Sequence, residues 1–302
     1  MSITMAATQL GQRNYRLRRL LTEAGSMVLG LVLLIWSLLP VYNMLLIALD
    51  PEEGEVEFTG NLYPPEISLD AFSDVVKQEA RYLEDFWHQF SNSIYIGLAT
   101  MVLTVLIGSL ASFAVGRMRL AKGSLLTNAA LFTYAIPASF LIVPYYRIMH
   151  LYGLSDNLWA VIATQVTFAT PFAILIMQLY AHLIPFELDD AARVDGASPV
   201  QLYLRIYLPL MTPALAIAAI YALLLAWNDY LYQAVLLSTR NMTVSVTQGQ
   251  LFVDADAPWN AMMAAAIIYV LPPVALLFAL RRYVIAVLPA SDDLKGLGRR
   301  SA

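Results

Sequence analysis

Six long apolar stretches without Asp, Glu, Lys or Arg constrain the fold of this 302-residue chain more than any other feature. Each is longer than the roughly 20 residues that a helix needs to cross about 30 Å of hydrocarbon. They are also too long for the strands of a soluble core. We therefore predict an all-α membrane protein with six transmembrane helices. The stretches are Ala24–Leu49, Phe86–Gly116, Gly123–Tyr146, Asn157–Phe186, Ile206–Asn228 and Ala257–Leu280. The helices are predicted near 25–49, 91–115, 124–148, 158–181, 210–236 and 260–282.

The composition excludes several other classes of protein. Hydrophobic residues make up 59% of the chain and charged residues 13%, whereas soluble domains carry about 25% charged residues. This argues against an ordinary soluble enzyme and against a nucleic-acid-binding protein that depends on basic patches. The chain has no cysteine, which excludes disulfides and thiolate-bound metals. Its three histidines lie far apart in the sequence, so we predict no metal site.

The first stretch has two interpretations, because Arg13, Arg16, Arg18 and Arg19 precede it. A signal peptide begins with a basic region of this kind, but its apolar core is only about 7–15 residues long. The stretch here is longer, and no small-x-small cleavage site precedes Asp50. We therefore predict a retained membrane helix.

The basic residues predict which helix ends face the cytoplasm, because Lys and Arg are concentrated in cytoplasmic loops. Four arginines precede the first helix, three basic residues follow the second, and five lie in the C-terminal segment. With six helices these segments share one side, so we predict that both termini are cytoplasmic. Residues 50–85 lie on the other side and carry eleven acidic and two basic residues. The predicted segments are a cytoplasmic tail over 1–24, the first helix over 25–49, an acidic extracytoplasmic loop over 50–90, a transmembrane domain over 91–284 and a cytoplasmic tail over 285–302.

The loop over residues 185–209, between the fourth and fifth predicted helices, begins with the signals of a short helix. Glu187, Asp189 and Asp190 lie in a first turn, where the helix dipole favours negative charge. Asp195 and Gly196 then predict a stop, because glycine tolerates the left-handed conformation that ends many helices.

A second helix is predicted directly after this stop. Ser198 is a good N-cap, Pro199 suits the first helical position, and Gln201 completes a capping box. The helix is predicted to run to Leu208-Pro209 and into the fifth membrane helix. The 185–209 loop is therefore predicted as helix, tight turn and helix.

The 185–209 loop resembles the EAA motif of ABC importer permeases, E-A-A-x3-G-x9-I-x-L-P. Every spacing matches, and the one departure is aspartate in place of glutamate at position 190. In that family the motif's helix sits in a cleft of the ATP-binding subunit, so the resemblance implies a coupling role here. The alternative is a helix lying on the membrane surface, but such helices favour Lys and Arg, whereas this one is mostly acidic. The implied coupling residues are Glu187, Asp190, Ala191, Ala192, Asp195, Gly196, Ile206, Leu208 and Pro209.

Further motifs, spread over roughly residues 86–296, resemble those of carbohydrate permeases of the maltose-importer type. The segment 90–93 is similar to their F-x-N-S pattern, and 227–230 is similar to their W-N-[ED]-[FY]. The resemblance implies a type I ABC importer transmembrane-domain fold, with a cytoplasmic coupling helix between the fourth and fifth helices. Lys295 and Gly296 fit the family's ending, which implies a tail contact with the ATPase subunits.

Asp229 is the one carboxylate well inside a predicted membrane helix. An intramembrane charge usually faces a cavity or a partner. We predict that Asn228, Asp229 and Tyr232 share one helical face, with Tyr221 on the same stripe, and that this face forms part of a translocation path for a sugar. The alternative is a polar link that holds the fifth helix to a neighbour. The candidate path residues are Tyr134, Gln165, Tyr221, Asn228, Asp229 and Tyr232. Of these, Tyr134 and Gln165 are weaker candidates, as is Thr164.

Small residues recur every four positions in two predicted helices, which indicates close helix packing in lipid. The two series are Gly108, Ser112 and Gly116 in the second helix and Ala214, Ala218, Ala222 and Ala226 in the fifth.

The resemblance implies a non-catalytic permease subunit that translocates a carbohydrate, polyol or glycoside across the bacterial inner membrane by alternating access. The sequence has no GxxxxGK[ST] phosphate loop, so this chain is expected to hold no cofactor, and ATP and Mg²⁺ are expected on partner ATPase subunits. The implied partners are a homologous second permease, two copies of an ATP-binding subunit and an extracytoplasmic sugar-binding protein.

Two other functions were weighed. Half of an ion-gradient-driven secondary transporter would need ionisable residues near the bilayer midplane, and Asp229 alone is thin support. A membrane enzyme would need a catalytic constellation, but the sequence has no HExxH motif and no plausible Ser/His or carboxylate pair at membrane depth.

Overall fold

The computed structural model describes residues 2–51, 63, 66–80, 83–118, 123–252 and 257–285, without the side chains of residues 2–18, 124, 126 and 285. These described residues are mostly helical and contain no strand, as the all-α prediction requires. The α-helices are α1 (Ser2–Ala48), α2 (Asp70–Lys77), α3 (Phe86–Gly116), α4 (Gly123–Phe132), α5 (Ile142–Leu151), α6 (Leu158–Ala181), α7 (Glu187–Val194), α8 (Pro199–Leu202), α9 (Leu208–Leu210), α10 (Thr212–Trp227), α11 (Leu231–Leu236), α12 (Val244–Leu251) and α13 (Trp259–Ile285). Short 3₁₀ segments cover Thr133–Ala135, Ala138–Leu141 and Thr239–Asn241, and a π-helical segment covers Tyr203–Tyr207.

The chain forms two units, residues 1–77 with 258–267, and residues 78–257 with 268–302. In the first unit, α1 begins at Ser2, well before the membrane helix predicted from residue 25. Just beyond the end of α1, the backbone carbonyl of Asp50 accepts a hydrogen bond of 3.2 Å from the side chain of Asn260 in α13. This bond joins the end of α1 to the start of α13.

In the second unit, α3, α6 and α10 pack against one another through small residues. A Cβ built on Gly108 of α3 would lie 3.0 Å from the Cβ of Ala173 in α6. A Cβ on Gly97 would lie 3.2 Å from the ring of Trp227 in α10. The predicted packing role is confirmed for Gly108 and for the alanine series of α10. The buried alanines of that series are Ala214, Ala218, Ala222 and Ala226.

The third predicted span is sharply bent, so the prediction of one continuous helix over 124–148 is wrong. The segments Thr127–Ala135 and Ala138–Leu151 meet at an angle of 93°. Pro137 explains the bend, because proline lacks a backbone N–H and disfavours the helical conformation in the preceding residue. Ile136 is accordingly extended, with φ −94° and ψ 119°.

The fifth predicted span, 210–236, is interrupted twice. The segments Pro199–Leu210 and Thr212–Trp227 meet at an angle of 77°. α10 then ends at Trp227, and α11 begins only at Leu231. The prediction that Asn228, Asp229 and Tyr232 share one face of a continuous helix is therefore wrong, because residues 228–230 leave the helix.

In the described part of the chain, four helices are long and apolar enough to cross a membrane, or up to six if each bent pair is one span. The fourth predicted helix is observed with its predicted bounds, 158–181. Its start follows from Asn157, whose side chain accepts a hydrogen bond of 2.9 Å from the backbone N–H of Trp159. The four helices are Arg19–Ala48, Phe86–Gly116, Leu158–Ala181 and Trp259–Val284.

Candidate functional site

The 185–209 loop folds as its local signals predict. α7 covers Glu187–Val194, and Gly196 then adopts φ +81°, in the left-handed region that favours glycine. Ser198 Oγ accepts a hydrogen bond from the backbone N–H of Gln201 (3.3 Å), and the Gln201 side chain accepts one from the backbone N–H of Ser198 (2.8 Å). The predicted turn and capping box are therefore confirmed.

A buried ion pair, absent from the sequence predictions, fixes the 185–209 loop to α3. Arg117 Nη1 lies 3.1 Å from Oδ2 of Asp189, and the two side chains are 1% and 5% exposed. Arg117 Nη2 donates to the backbone carbonyls of Ala181 (3.2 Å) and Ile184 (3.0 Å). The guanidinium also lies 4.7 Å from the centre of the Phe186 ring. One side chain thus joins the end of α3, the end of α6 and the first turn of α7.

Two tyrosines of the π-helical segment hold the second half of the loop against the same helix. The Tyr203 hydroxyl lies 2.7 Å from Ser109 Oγ, and the Tyr207 hydroxyl donates to Ser112 Oγ over 3.0 Å. Both tyrosine rings pack edge-on against Phe113, with centres 5.3 and 5.1 Å away. The C-terminal half of α3 is therefore the support on which the 185–209 loop rests.

The exposed residues of the loop have more negative than positive charge, with Glu187, Asp190 and Asp195 against Arg193 and Arg205. Val194 lies among these residues and is 87% exposed. Of the implied coupling residues, Glu187, Asp190, Ala191, Asp195, Gly196 and Pro209 are exposed, and Ala192, Ile206 and Leu208 are half-buried.

A cavity of about 580 Å³ lies among the bent third predicted span, α6, α10 and the break after α10. It contains one carboxylate, two side-chain amides and three tyrosines, which together can donate and accept hydrogen bonds and offer aromatic faces. A neutral ligand rich in hydroxyl groups suits such a lining. All six candidate path residues line it: Tyr134, Gln165, Tyr221, Asn228, Asp229 and Tyr232. The sequence predictions missed the other lining residues: Thr133, Ile136, Pro137, Ala138, Phe168, Leu224 and Leu225.

Thr164, one of the weaker candidates, is not among the lining residues. Its hydroxyl instead donates to the Ala160 carbonyl of its own helix over 2.8 Å. Thr164 is therefore not part of this cavity, whereas the next residue of α6, Gln165, lines it.

Hydrogen bonds from two tyrosines join the walls of the cavity. The Tyr134 hydroxyl donates to the Phe168 carbonyl, and the Tyr232 hydroxyl donates to the Ala138 carbonyl, each over 2.5 Å. Both bonds connect the bent third span to neighbouring helices. The Pro137 bend, which a proline in an apolar stretch signals, thus places these carbonyls and rings around the cavity.

Two further predictions concern the C-terminal tail and metal binding. Lys295 and Gly296, the implied tail contact, lie outside the described residues. Within the described ranges, no group of three His, Cys, Asp or Glu residues could hold a metal ion.

These features are typical of one class of protein, the membrane transport permeases. The features are apolar helices able to cross a membrane, a polar cavity among them, and an ordered loop with an exposed surface. The family described as the binding-protein-dependent transport system inner membrane component matches residues 104–286, and the chain belongs to this family. That range includes the 185–209 loop and every lining residue of the cavity. The chain is therefore a multi-pass inner membrane protein, and the resemblance to ABC importer permeases is confirmed.

Individual relatives agree with this assignment. The chain is 31% identical to the inner membrane ABC transporter permease protein YcjP of Escherichia coli over 258 residues, 84% of this chain and 91% of the relative. It is 30% identical to the trehalose transport system permease protein SugB of Mycobacterium tuberculosis over 272 residues, 89% of this chain and 96% of the relative.

A solved structure shares the fold. It is described as a bacterial ABC transporter involved in the import of the acidic polysaccharide alginate, and the match has a TM-score of 0.70 at 20% sequence identity. It covers 88% of this chain and 97% of the other. The similarity shows that both chains have the same membrane fold.

Proposed function

We propose that the chain is one permease subunit of an ATP-driven importer that moves a carbohydrate, or a related polyol or glycoside, across the cytoplasmic membrane by alternating access. In this proposal each bent pair of helices is one span, which makes six. Both termini then lie in the cytoplasm, and the acidic segment 50–90 lies outside, as the distribution of Lys and Arg favours.

The 185–209 loop carries the proposal. Its spacing is that of the EAA motif, its turn is formed at Gly196, and α3 and α6 hold it through Arg117. Closure of the ATPase subunits would move α7 and, through Arg117, the membrane helices. The exposed acidic surface of the loop suits a basic rim on an ATPase.

The assembly requires other subunits. The chain supplies six spans, half of the pathway, so a homologous second permease supplies the rest. The sequence has no phosphate loop, so two ATP-binding subunits bind ATP and Mg²⁺. An extracytoplasmic binding protein delivers the sugar, as the description of the family supports.

The relatives and the cavity together support a carbohydrate substrate. The trehalose permease relative matches 89% of this chain. The cavity offers the carboxylate, amides and aromatic faces that bind sugar hydroxyls and sugar rings.

The proposal is tested by reconstituting the chain with its partner subunits and binding protein in proteoliposomes. Uptake of a radiolabelled sugar that the binding protein binds is expected to require both enclosed ATP and the binding protein. Uptake driven by an imposed proton or sodium gradient without ATPase subunits would support the secondary-transporter alternative and overturn the proposal.

An Asp229→Asn variant is expected to move about tenfold less sugar per ATP hydrolysed, because it loses charge-assisted hydrogen bonds to sugar hydroxyls. The tenfold loss in sugar moved per ATP corresponds to about 1.4 kcal/mol. Stimulated ATP hydrolysis itself should change less than about twofold, because the 185–209 loop is intact. Uptake and hydrolysis are measured in the same vesicles at saturating, sugar-loaded binding protein.

Thr164→Val is the matched control for Asp229→Asn. It removes a buried polar group from the same bundle, but from a residue that does not line the cavity. Its ratio of sugar to ATP should equal that of the wild type. Equal ratios for all three proteins would remove Asp229 from the path.

A further inference from the structure

The break at residues 228–230 separates α10 from α11 and leaves backbone groups to be satisfied by other partners. α10 ends at Trp227 and α11 begins at Leu231, so backbone groups at both helix ends lose their helical partners. Buried backbone groups are costly without partners, so other groups must satisfy the freed carbonyls and N–H groups.

Side chains from outside α10 satisfy two carbonyls of its last turn. Gln233 Nε2 donates to the Ala226 carbonyl over 2.8 Å. The Tyr269 hydroxyl donates to the Trp227 carbonyl over 2.9 Å. The end of α10 is thus held by specific donors, and the break is a built feature of the fold.

Gln233 lies at the centre of these hydrogen bonds, and it is 2% exposed. While its Nε2 reaches Ala226, its Oε1 accepts a hydrogen bond from Thr243 and lies 3.1 Å from Ser245 Oγ. Ser245 Oγ is also 3.1 Å from the Asp229 carbonyl, so its proton is shared between two acceptors. Both polar atoms of the Gln233 side chain are therefore engaged, which fixes the orientation of the amide.

The backbone of Gln233 also contacts Asp229. The Asp229 carboxylate, one residue before the N-cap of α11, accepts hydrogen bonds from the first-turn backbone N–H groups of Tyr232 (3.4 Å) and Gln233 (3.2 Å). Asp229 and Tyr232 both line the cavity, whereas Gln233 does not. The side chain of Gln233 thus binds the end of α10, just before the break. Its backbone N–H binds the carboxylate of Asp229, which lies within the break.

We infer that Gln233 is a positioning residue, which holds the break after α10 in the shape that keeps Asp229 at the cavity. This inference rests on the proposed function, because it gives Asp229 a role in the translocation path. Gln233 acts through Asp229 and does not itself touch the sugar. Replacing Gln233 should therefore lower the sugar transported per ATP hydrolysed by no more than the amount that Asp229 contributes.

The test is a double-mutant cycle in the reconstituted complex, read out as sugar transported per ATP hydrolysed. Gln233→Met has a similar shape and cannot hold the Ala226 carbonyl, so the ratio should fall about tenfold, as for Asp229→Asn. The Asp229→Asn/Gln233→Met double variant should match Asp229→Asn within about twofold, because the two changes remove one contribution. Gln178→Met is the control: Gln178 donates to Thr127 over 2.9 Å, away from the cavity, and its replacement should leave the ratio unchanged.

Two results would overturn the inference: an unchanged ratio for Gln233→Met, or losses that multiply in the double variant. If Gln233→Met fails to assemble, Ser245→Ala replaces it, since that variant keeps the bonds of Gln233 to Ala226 and Thr243. Ser245→Ala should lower the ratio about two- to threefold, and no further in the Asp229→Asn background; any other outcome counts against the inference. Failure of the proposed function is distinguishable, because the wild-type complex would then show no ATP-dependent uptake at all.

Discussion

An Arg117→Met variant is expected to lose about 3–5 kcal/mol of folding free energy, the largest loss of stability that we predict for a single substitution in this chain. Methionine fills much of the same space but leaves the Asp189 carboxylate buried without its partner. It also leaves the carbonyls of Ala181 and Ile184 without their donor. The thermal unfolding midpoint of the purified chain in detergent measures the loss, and stimulated ATP hydrolysis of the complex should fall with it.

The second ion pair in the described part of the chain is the control. Arg19 and Glu23 lie 2.7 Å apart on α1, but their side chains are 69% and 58% exposed, so water screens the pair. Arg19→Met should therefore cost less than about 1 kcal/mol. Asp189→Asn should fall between the two, because Arg117 keeps its two carbonyls and the Phe186 ring. Equal unfolding midpoints for Arg117→Met and Arg19→Met would contradict a structural role for the buried pair.

A Gly196→Val variant is expected to lose at least about tenfold of the ATP hydrolysis that the binding protein stimulates, while the membrane helices stay folded. Gly196 has φ +81°, where an L-residue costs about 1–2 kcal/mol and a β-branched residue more. A Cβ there meets nothing within 4 Å, so the strain comes from the backbone alone. The turn after α7 would therefore shift, and the exposed surface of the 185–209 loop would shift with it. Stimulated hydrolysis is measured in the reconstituted complex.

Gly153 offers a matched control within the same chain. It has φ +70° and equally open surroundings, but it lies in the turn after α5, far along the sequence from the 185–209 loop. Gly153→Val should lower the unfolding midpoint about as much as Gly196→Val and leave stimulated hydrolysis near the wild-type value. Gly196→Asn should recover most of the activity, because asparagine tolerates the left-handed region. A similar loss of hydrolysis in both valine variants would mean that general destabilisation, not coupling, explains the effect.

The features that the sequence predicted well are those that depend on neighbouring residues. The bounds of α6 follow from Asn157 and an uninterrupted apolar run. The turn and capping box of the 185–209 loop follow from Gly196, Ser198 and Gln201, all within six positions. Residue type and spacing determine such signals, so they require no knowledge of the tertiary structure.

The features that were missed depend on residues far apart in the sequence. Arg117 and Asp189 are 72 positions apart, and each had a sufficient local explanation, one as a topology signal and the other as a first-turn acid. The break after α10 looked helical because its stabilising donors, Tyr269 and Gln233, lie beyond it in the chain. Six of the cavity's lining residues were nevertheless predicted, since chemistry alone selected polar and aromatic side chains in apolar stretches. Their arrangement around a break was not.

One long helix, α3, contacts both the 185–209 loop and the end of α10. Arg117 follows its last residue and binds the loop, and Gly97 packs against the Trp227 ring beside the break. Twenty positions separate Gly97 from Arg117, which at 1.5 Å per residue is about 30 Å of uninterrupted helix. In the proposed alternating-access mechanism, a tilt of this helix by about 6° around its Arg117 end would displace Gly97 by about 3 Å. That displacement is about the length of one hydrogen bond, so under this proposal a small rotation at the loop would be enough to open or close the contacts around the break.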